Sequence, residues 1–309
     1  MPRMEFGIHL PNGGFQDQPF AKIVEIAQKA EKMGFKSVWV SDHLLFPSSL
    51  GSPNIYDSLS TLASLSSVTN NIRLGTSALV PLRHPLVTAS MVSTLDNMSG
   101  GRVELGIGVG WYKPEFDAVG VDFHKRGLVQ EETIALLKEL WTSPKVDFEG
   151  RFFKIKDASL SPKPAQKPYP PILVGGATTR GTARSSEHTL NRVVKLADGW
   201  IAWSPNLEQF KRGISILKES CRVFSRDPST IRLLADFATC ACPEKGEALR
   251  IAEENHLDSS QSLVGDPRTL VKRIEEFREM GLQEIIFSIR PIGGELKALQ
   301  PIQEVMSAF

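Results

Sequence analysis

The chain of 309 residues has few cysteines, almost no net charge and no long apolar run. Three cysteines are too few for a disulfide framework. Lys and Arg number 36 and Asp and Glu 35, so no strong field favours nucleic acid or an anionic membrane. No stretch of about 18 apolar residues predicts a membrane span, and the N-terminus lacks the apolar core of a secretory signal. We therefore expect a cytoplasmic protein that acts on a small molecule.

Metal-site and hydrolase motifs are also missing from the sequence. The six histidines show neither H-x-H nor H-E-x-x-H spacing. Cys240 and Cys242 are separated by one residue inside an apolar run, which indicates strand packing, with a redox or metal pair as the alternative. No G-x-S-x-G nucleophile elbow is present. We therefore expect no metal site and no hydrolase triad.

Strand-like apolar runs alternate with helical patterns along nearly the whole chain. Each predicted strand is followed by a helix, and this repeat predicts a (β/α)8 TIM barrel. Several strands are continuously apolar, as in a parallel sheet covered by helices. An open doubly wound α/β sheet is the alternative. The eight strands are predicted at 5–10, 37–41, 72–80, 103–109, 172–174, 200–203, 231–242 and 284–290.

The repeat is interrupted at about 145–170. This segment contains a predicted hairpin with its turn at Glu149-Gly150, and five prolines follow between 162 and 171, which favour loops and sheet edges. We interpret it as an insertion within a single domain that spans 1–309. The principal helices are predicted at 20–33, 57–68, 85–98, 126–141, 186–196, 207–224, 244–254, 267–280 and 296–306.

The carboxyl ends of the strands are where functional residues are expected, because barrel enzymes build their active sites from the loops that follow the strands. Asp42 and His43 end the second strand, and a histidine at this place can act as a general acid or base. Successive strand side chains point to opposite sides, so Asp42 need not bond to His43. The alternative is that both residues merely cap the next segment.

Glycines mark the end of the fourth strand. The pattern Gly106-x-Gly108-x-Gly110 resembles a dinucleotide-binding fingerprint, but it lacks the second half and has the period of a strand. Glycines on one face of a strand allow a flat group, such as a ring, to approach closely. We therefore predict close contact with a ligand here and not a dinucleotide loop.

A second glycine cluster follows the fifth predicted strand. The run G-G-A-T-T at 175–179 combines exposed backbone N–H groups with two hydroxyls just before a helix. This arrangement is typical of a phosphate cradle, which barrels often build late in the sheet. A simple glycine turn is the alternative.

An ordered series of motifs resembles the luciferase-like flavin and coenzyme F420-dependent oxidoreductases. The run R-L-G-T-S-A-L-V-P-L-R-H-P at 73–85 matches the family's third-strand motif, and 94–111 continues it. Further matching segments follow in the same order, and the resemblance covers essentially the whole chain. These segments lie at 116–120, 148–150, 162–164, 171–176, 197–200 and 263–267.

The resemblance implies a TIM barrel with an insertion, a homodimer, and a bound FMN or coenzyme F420, which is an 8-hydroxy-5-deazaflavin. Members commonly have a non-prolyl cis peptide behind the ring, which by position joins Ser77 to Ala78 here. Asp42 and His43 match the strand-two pair that contacts cofactor and substrate. The implied cofactor-binding residues are Asp42, Thr76, Ser77, Ala78, Gly108, Val109, Gly110, Trp111, Gly175, Gly176, Ala177, Thr178 and Thr179.

The G-V-G-W ending at Trp111 and the Asp42-His43 pair resemble the deazaflavin-dependent members. This implies hydride transfer between C5 of coenzyme F420 and a small organic substrate, with His43 and Asp42 as the catalytic residues and His43 exchanging the substrate proton. One alternative is an FMN-dependent monooxygenase supplied with reduced flavin by a partner flavin reductase. Another is a non-catalytic flavin-binding protein on the same fold.

The sequence departs from the family pattern in one place. The loop after Gly176 is several residues longer than expected and contains Arg180 and Arg184. Arginine suits bidentate contact with phosphate. The two arginines are therefore expected either to clamp a phosphate or to lie in a solvated loop.

Overall fold

The computed structural model describes residues 3–13, 18–51, 54–176, 183–290 and 294–309. The described strands are β1 (Glu5–His9), β2 (Ser37–Val40), β3 (Arg73–Thr76), β4 (Val103–Ile107), β5 (Val146–Glu149), β6 (Lys154–Ala158), β7 (Ile172–Gly175), β8 (Gly199–Trp203), β9 (Arg232–Ala241), β10 (Leu263–Gly265) and β11 (Glu284–Ile289). The described α-helices are α1 (Phe20–Lys32), α2 (Ser58–Ser66), α3 (Pro85–Met98), α4 (Lys113–Val119), α5 (Arg126–Thr142), α6 (Ala183–Leu196), α7 (Leu207–Val223), α8 (Lys245–Glu254), α9 (Pro267–Glu279) and α10 (Glu295–Ser307).

Eight parallel strands close into a barrel in the order β1-β2-β3-β4-β7-β8-β9-β11, and β11 pairs again with β1. The predicted (β/α)8 TIM barrel is confirmed, and closure excludes the open doubly wound sheet. β5 and β6 form the predicted antiparallel hairpin outside the barrel, between α5 and β7. No helix within the described ranges is long and apolar enough to cross a membrane.

Alternate residues of each barrel strand point outward to the helices and inward to the barrel. Phe6 and Ile8 of β1 face outward and belong to the main hydrophobic core. A separate buried cluster from five strands fills the middle of the barrel. Gly75 makes room for it, because a Cβ at that position would lie 2.2 Å from the indole of Trp39. The members of the inner cluster are Trp39, Leu173, Ile201, Leu234 and Ile286.

An ionic network occupies the barrel interior where the strands begin. Oε2 of Glu284 accepts hydrogen bonds from Arg73 Nη2 at 2.6 Å and Arg232 Nη2 at 2.8 Å. Arg232 Nη1 also donates to Glu104 Oε1 at 2.6 Å. Burial and then the charge of Glu104 raise the pKa of Glu284 to about 7, although Arg73 and Arg232 oppose the shift. Charged side chains therefore fill this end of the barrel.

Two short elements escape prediction. α4 has seven residues and follows directly on the fourth strand, ending at Gly120 with a φ of +74°. β10 has three residues and pairs with the end of β9, past the residues of β9 that pair with β8. Neither is long enough to show a hydrophobic period.

The third strand is also shorter than predicted. Its parallel ladder ends at Thr76, and the peptide bond between Ser77 and Ala78 is cis. The cis bond implied by the family resemblance is therefore confirmed. Cys240 and Cys242 are buried in a cluster with Ala248, Ala252 and Val264, which confirms packing as the role of this pair.

Candidate active site

The opposite end of the barrel interior, where the strands finish, is lined by eight residues, each of which lies in one of the barrel strands or directly after it. These residues differ sharply in chemistry around the circle. Those on β1, β2, β3, β9 and β11 are polar, whereas β4 and β7 present glycine and β8 presents an indole. In strand order they are His9, Ser41, Ser77, Gly108, Gly175, Trp203, Asp236 and Ser288.

Asp236 is the centre of the polar half and is fully buried. Its Oδ1 accepts a hydrogen bond from Ser288 Oγ at 2.6 Å. Its Oδ2 accepts one from Ser77 Oγ at 3.3 Å and lies 2.8 Å from His9 Nδ1. The other ring nitrogen, His9 Nε2, lies 2.9 Å from Ser41 Oγ. A single carboxylate therefore links the ends of β1, β3 and β11, and through His9 it reaches β2.

The glycine half forms an open cradle around Ala78. A Cβ added to Gly108 would lie 3.2 Å from Ala78 Cβ, and one added to Gly175 would lie 3.5 Å from the same atom. The Gly175 Cβ would also lie 3.5 Å from Trp203 Nε1, and Trp203 stacks edge-on against His9 with centroids 6.2 Å apart. The space left by the two missing side chains is therefore bounded by Ala78 and by the indole of Trp203.

His43 lies at the rim and is oriented by a buried acid. Its Nδ1 lies 2.9 Å from Oε2 of Glu115, a residue of α4 with no exposed surface. Glu115 Oε1 accepts the backbone N–H groups of Leu44 and Leu45, so the same carboxylate also holds the loop that follows His43. Within the described part of the chain, Nε2 of His43 has no hydrogen-bond partner, and it is the nitrogen left to act on a ligand.

Aromatic rings surround His43. Its imidazole packs edge-on against Phe46 and Trp111, with centroid distances of 5.4 and 5.5 Å. Trp111 remains half-exposed at 48%, whereas Phe46 is buried. The indole of Trp111 therefore presents an apolar surface to the mouth of the barrel beside His43.

Asp42 points away from His43 and binds Arg83. The two carboxylate oxygens accept from Arg83 Nη1 and Nη2, each at 2.9 Å, and also from Val80 N and Ser58 Oγ. Burial lowers the pKa of Arg83, but its bonds to Asp42 and Asp57 outweigh that effect and raise it. With four hydrogen bonds to the chain, Asp42 fixes the segment that follows the cis peptide.

Of the other predicted cofactor-binding residues, some lie at the cradle and others hold the strands around it in place. Thr76 Oγ1 donates to Gly106 O at 2.7 Å and ties β3 to β4. Gly110 has a φ of +76°, and a Cβ there would lie 2.6 Å from Val80. Val109 lies half-buried between the two glycines, and Gly176 accepts the Trp200 indole N–H at 2.8 Å. Ala177, Thr178, Thr179 and Arg180, together with the side chain of Arg184, lie outside the described residues.

Asp236, Glu115, Arg83 and Ser288 contribute to the site but are not among the residues predicted from the sequence. Asp236 had a detectable signal, because it is a charge inside the apolar run L-L-A-D-F-A of β9. Glu115 had none, since it lies on the unpredicted α4 and meets His43 across 72 residues of sequence. Contacts of this kind follow from barrel closure and not from local pattern.

The fold and the mouth together define a (β/α)8 barrel with a glycine-lined cradle and an oriented histidine at the rim. A family model described as luciferase-like monooxygenase matches residues 4–259. The chain belongs to this family, whose members include F420-dependent and FMN-dependent oxidoreductases.

Characterised relatives include users of both cofactors. An F420-dependent glucose-6-phosphate dehydrogenase of Amycolatopsis mediterranei is 27% identical over 292 residues, which cover 86% of this chain and 87% of that protein. An FMNH2-dependent dimethylsulfone monooxygenase of Pseudomonas putida is 31% identical over 157 residues, which cover 50% of this chain and 43% of that protein. An uncharacterised protein of Mycobacterium tuberculosis is 31% identical over 217 residues, covering 65% of this chain and 74% of that protein.

Solved structures support the fold across the whole chain. A coenzyme F420-dependent tetrahydromethanopterin reductase from Methanopyrus kandleri superposes with a TM-score of 0.81 at 22% identity and covers 99% of both chains. An F420-dependent secondary alcohol dehydrogenase superposes with a TM-score of 0.82 at 20% identity, covering 98% of this chain and 99% of that one.

Proposed function

We propose that this protein is an F420-dependent oxidoreductase that transfers a hydride between the deazaflavin and a small organic substrate. The observation that carries the proposal is the His43–Glu115 pair beside the glycine cradle. A hydride transfer to or from a carbonyl carbon needs a positioned group to give or take the proton on oxygen. His43 Nε2 occupies the rim where such a substrate would meet a ring.

The residues at the mouth fit a flat ring with one polar and one apolar edge. Gly108 and Gly175 leave space next to Ala78 that any side chain would fill. Opposite them, Ser41, Ser77 and His9 offer hydrogen-bonding groups. A deazaflavin or flavin ring has this division between a pyrimidine edge and a benzenoid edge. When bound, coenzyme F420 supplies or accepts the hydride at C5.

The roles of the chain's own residues follow from their contacts. Glu115 accepts at His43 Nδ1, which leaves Nε2 to hold or release the substrate proton. Asp42 acts on the site through Arg83 and the backbone of Val80, so we propose it as a positioning residue. Trp111 and Phe46 exclude water from one side of His43 with apolar surface.

The alignment lengths favour F420 over FMN. The F420-dependent relative aligns over 86% of this chain, whereas the FMNH2-dependent relative aligns over 50%. The FMN-dependent monooxygenase remains the second candidate, because the shorter alignment has the higher identity, 31% against 27%.

Paired titration tests the assignment. The purified protein is titrated with F420 and with FMN, each oxidised and reduced, and ligand fluorescence is followed. Selective binding of F420 supports the proposal. Selective binding of reduced FMN supports the monooxygenase, and binding of neither overturns the cofactor assignment. Gly108→Val should abolish binding by filling the cradle, whereas Gly246→Val, at a site with no atom within 4 Å of the added Cβ, should not.

His43→Ala separates a catalyst from a flavin-binding protein without turnover. We expect the rate of hydride transfer to fall by about 10²- to 10⁴-fold, the usual contribution of a general acid or base, while F420 affinity is kept. His124→Ala, which removes an exposed histidine of the helix-start turn near α5, is the control. A wild-type protein that binds F420 but turns over no alcohol, aldehyde or activated alkene would favour the binding protein.

A further inference from the structure

Ser41, His9 and Asp236 form a continuous hydrogen-bonded line across the mouth, and no role in proton transfer has been given to it above. The two contacts measure 2.9 Å between Ser41 Oγ and His9 Nε2 and 2.8 Å between His9 Nδ1 and Asp236 Oδ2. Asp236 is fully buried, the His9 side chain is 10% exposed, and Ser41 is half-buried. The line therefore runs from the buried wall of the barrel to the surface of the cradle.

The backbone at Ser41 is fixed independently of this line. Asn12 accepts the Ser41 N–H through Oδ1 at 2.9 Å and donates to the Ser41 carbonyl through Nδ2 at 2.8 Å. Both polar groups of the Ser41 backbone are thus satisfied by one buried side chain. The hydroxyl is left with His9 as its partner among the described residues, and it can rotate to meet a ligand.

The bonding at Asp236 determines which way hydrogens point along the line. Ser77 and Ser288 already donate to this carboxylate, and a carboxylate can only accept, so His9 Nδ1 donates as well. His9 Nε2 then accepts from Ser41 when the imidazole is neutral and donates to Ser41 when it is protonated. Protonation of His9 therefore turns the Ser41 hydroxyl from a donor toward His9 into a donor toward the cradle.

The charges near this line come from a small set of groups. Among the parts of the chain that the structure describes, Asp236 contacts His9 directly, and Arg290 acts electrostatically on Asp236. Burial lowers the pKa of Arg290, while Asp236 and Glu295 oppose that change. The carboxylate of Asp236 is thus the charged group that contacts the imidazole directly.

We propose that Ser41, His9 and Asp236 form a proton relay that recognises the negative charge of a reduced, planar heteroaromatic ring bound in the cradle. The inference rests on the proposed function and deepens it. A reduced deazaflavin or flavin bears more negative charge at its pyrimidine edge than the oxidised ring does. A protonated His9 lets Ser41 donate to that edge, and Asp236 balances the imidazolium. The site should therefore prefer the reduced cofactor and take up a proton when it binds.

Calorimetry with oxidised and reduced F420 tests the relay without relying on turnover. The purified full-length protein is titrated at pH 7 in phosphate buffer and in Tris buffer. The difference between the two binding enthalpies gives the number of protons taken up on binding. We expect Ser41→Ala and His9→Gln to weaken binding of reduced F420 about ten- to hundredfold, the value of a charge-assisted hydrogen bond, and to remove the proton uptake. Affinity for oxidised F420 should change less than about twofold.

Ser215→Ala is the control, because it removes an exposed hydroxyl that bonds to Lys211 O within helix α7 and lies outside the site. It should keep the proton uptake and the preference for reduced cofactor. Equal losses for both oxidation states in Ser41→Ala, or unchanged proton uptake in His9→Gln, would overturn the relay. If F420 does not bind but FMN does, the proposed function fails, and the same comparison with reduced and oxidised FMN decides the relay. Binding of neither overturns both.

Discussion

Glu115 Oε2 lies 2.9 Å from His43 Nδ1, and the other oxygen of the same carboxylate accepts two backbone N–H groups of the loop after His43. One buried side chain therefore sets both the rotation of the imidazole and the path of the chain that holds it. The two functions can be separated by substitution.

Glu115→Gln should retain the bonds to Leu44 and Leu45 through its remaining carbonyl oxygen while placing an N–H₂ group against His43. The imidazole then has to accept at Nδ1, so the proton lies on the wrong nitrogen. By analogy with the outer partners of other functional histidines, we expect hydride transfer to slow on the order of ten- to hundredfold. F420 affinity and the unfolding midpoint should stay near wild type. Stopped-flow absorbance measures the rate of hydride transfer, and urea unfolding measures the midpoint. A slow enzyme whose unfolding midpoint is also strongly lowered would indicate a structural role alone.

Asp42 and Arg83 should behave as a buried pair whose loss is costly. Removing one partner of such a pair costs about 3–5 kcal/mol, because the other charge remains buried. We expect Asp42→Ala and Arg83→Ala each to lower the free energy of unfolding on this order, and the double variant to lose clearly less than the sum. Chemical unfolding measures all three. Lys113→Ala breaks the exposed pair with Asp117 and should cost at most about 1 kcal/mol.

The stability of the barrel should fall as pH rises through neutrality because of Glu284. Its pKa is raised from 4.5 to about 7, chiefly by burial, so the protonated form is favoured in the folded chain. The contribution of protonated Glu284 to the free energy of unfolding is complete below about pH 4.5 and is lost as pH rises through about 7. Between pH 5 and 8 the free energy of unfolding of the wild type should therefore fall by an amount on the order of 2–3 kcal/mol, and we expect Glu284→Gln to remove this drop. Glu5→Gln, at a more exposed partner of Arg73, should leave the drop in place in urea titrations.

The three cysteines should be inert in the folded protein. All are buried, and burial is the main cause that raises the pKa of Cys240 to about 12. Because the thiolate is the reactive form, we expect no rapid reaction of the native protein with Ellman's reagent and three reacting thiols in urea. Val223→Cys, at a side chain that is 67% exposed, should react at once and verify the assay. Fast labelling of the native wild type would contradict the burial of the three cysteines.

Sequence patterns predicted the elements that repeat and the positions where strands end. The period of the helices and the apolar strands placed helix α3 at its observed bounds of Pro85–Met98, and they brought His43, Ser77 and Gly108 to one end of the barrel. Contacts across the barrel were beyond reach. The pairing of His9 with Asp236 joins residues 227 positions apart, and it depends on β9 and β1 both pairing with β11.

The direction of the Asp42 side chain was likewise not determined by its neighbours in sequence. Strand alternation indicated only that it need not face His43. Its actual partner, Arg83, lies 41 residues further along the chain, on the segment that follows the Ser77–Ala78 cis peptide. Two residues that are adjacent in sequence can therefore have different partners, and the geometry of the loop is needed to identify the atoms that each one contacts.

The ionic network of Arg73, Arg232, Glu104 and Glu284, at the end of the barrel where the strands begin, has a kinetic consequence. Arginine–glutamate pairs fill one end of the barrel interior, so the cofactor and substrate that we propose should both enter from the other end. The molecule that occupies the deeper position has to arrive first and depart last. Initial-rate patterns should therefore show compulsory order, with the ring-bearing ligand as the leading reactant and the organic product as the first to leave.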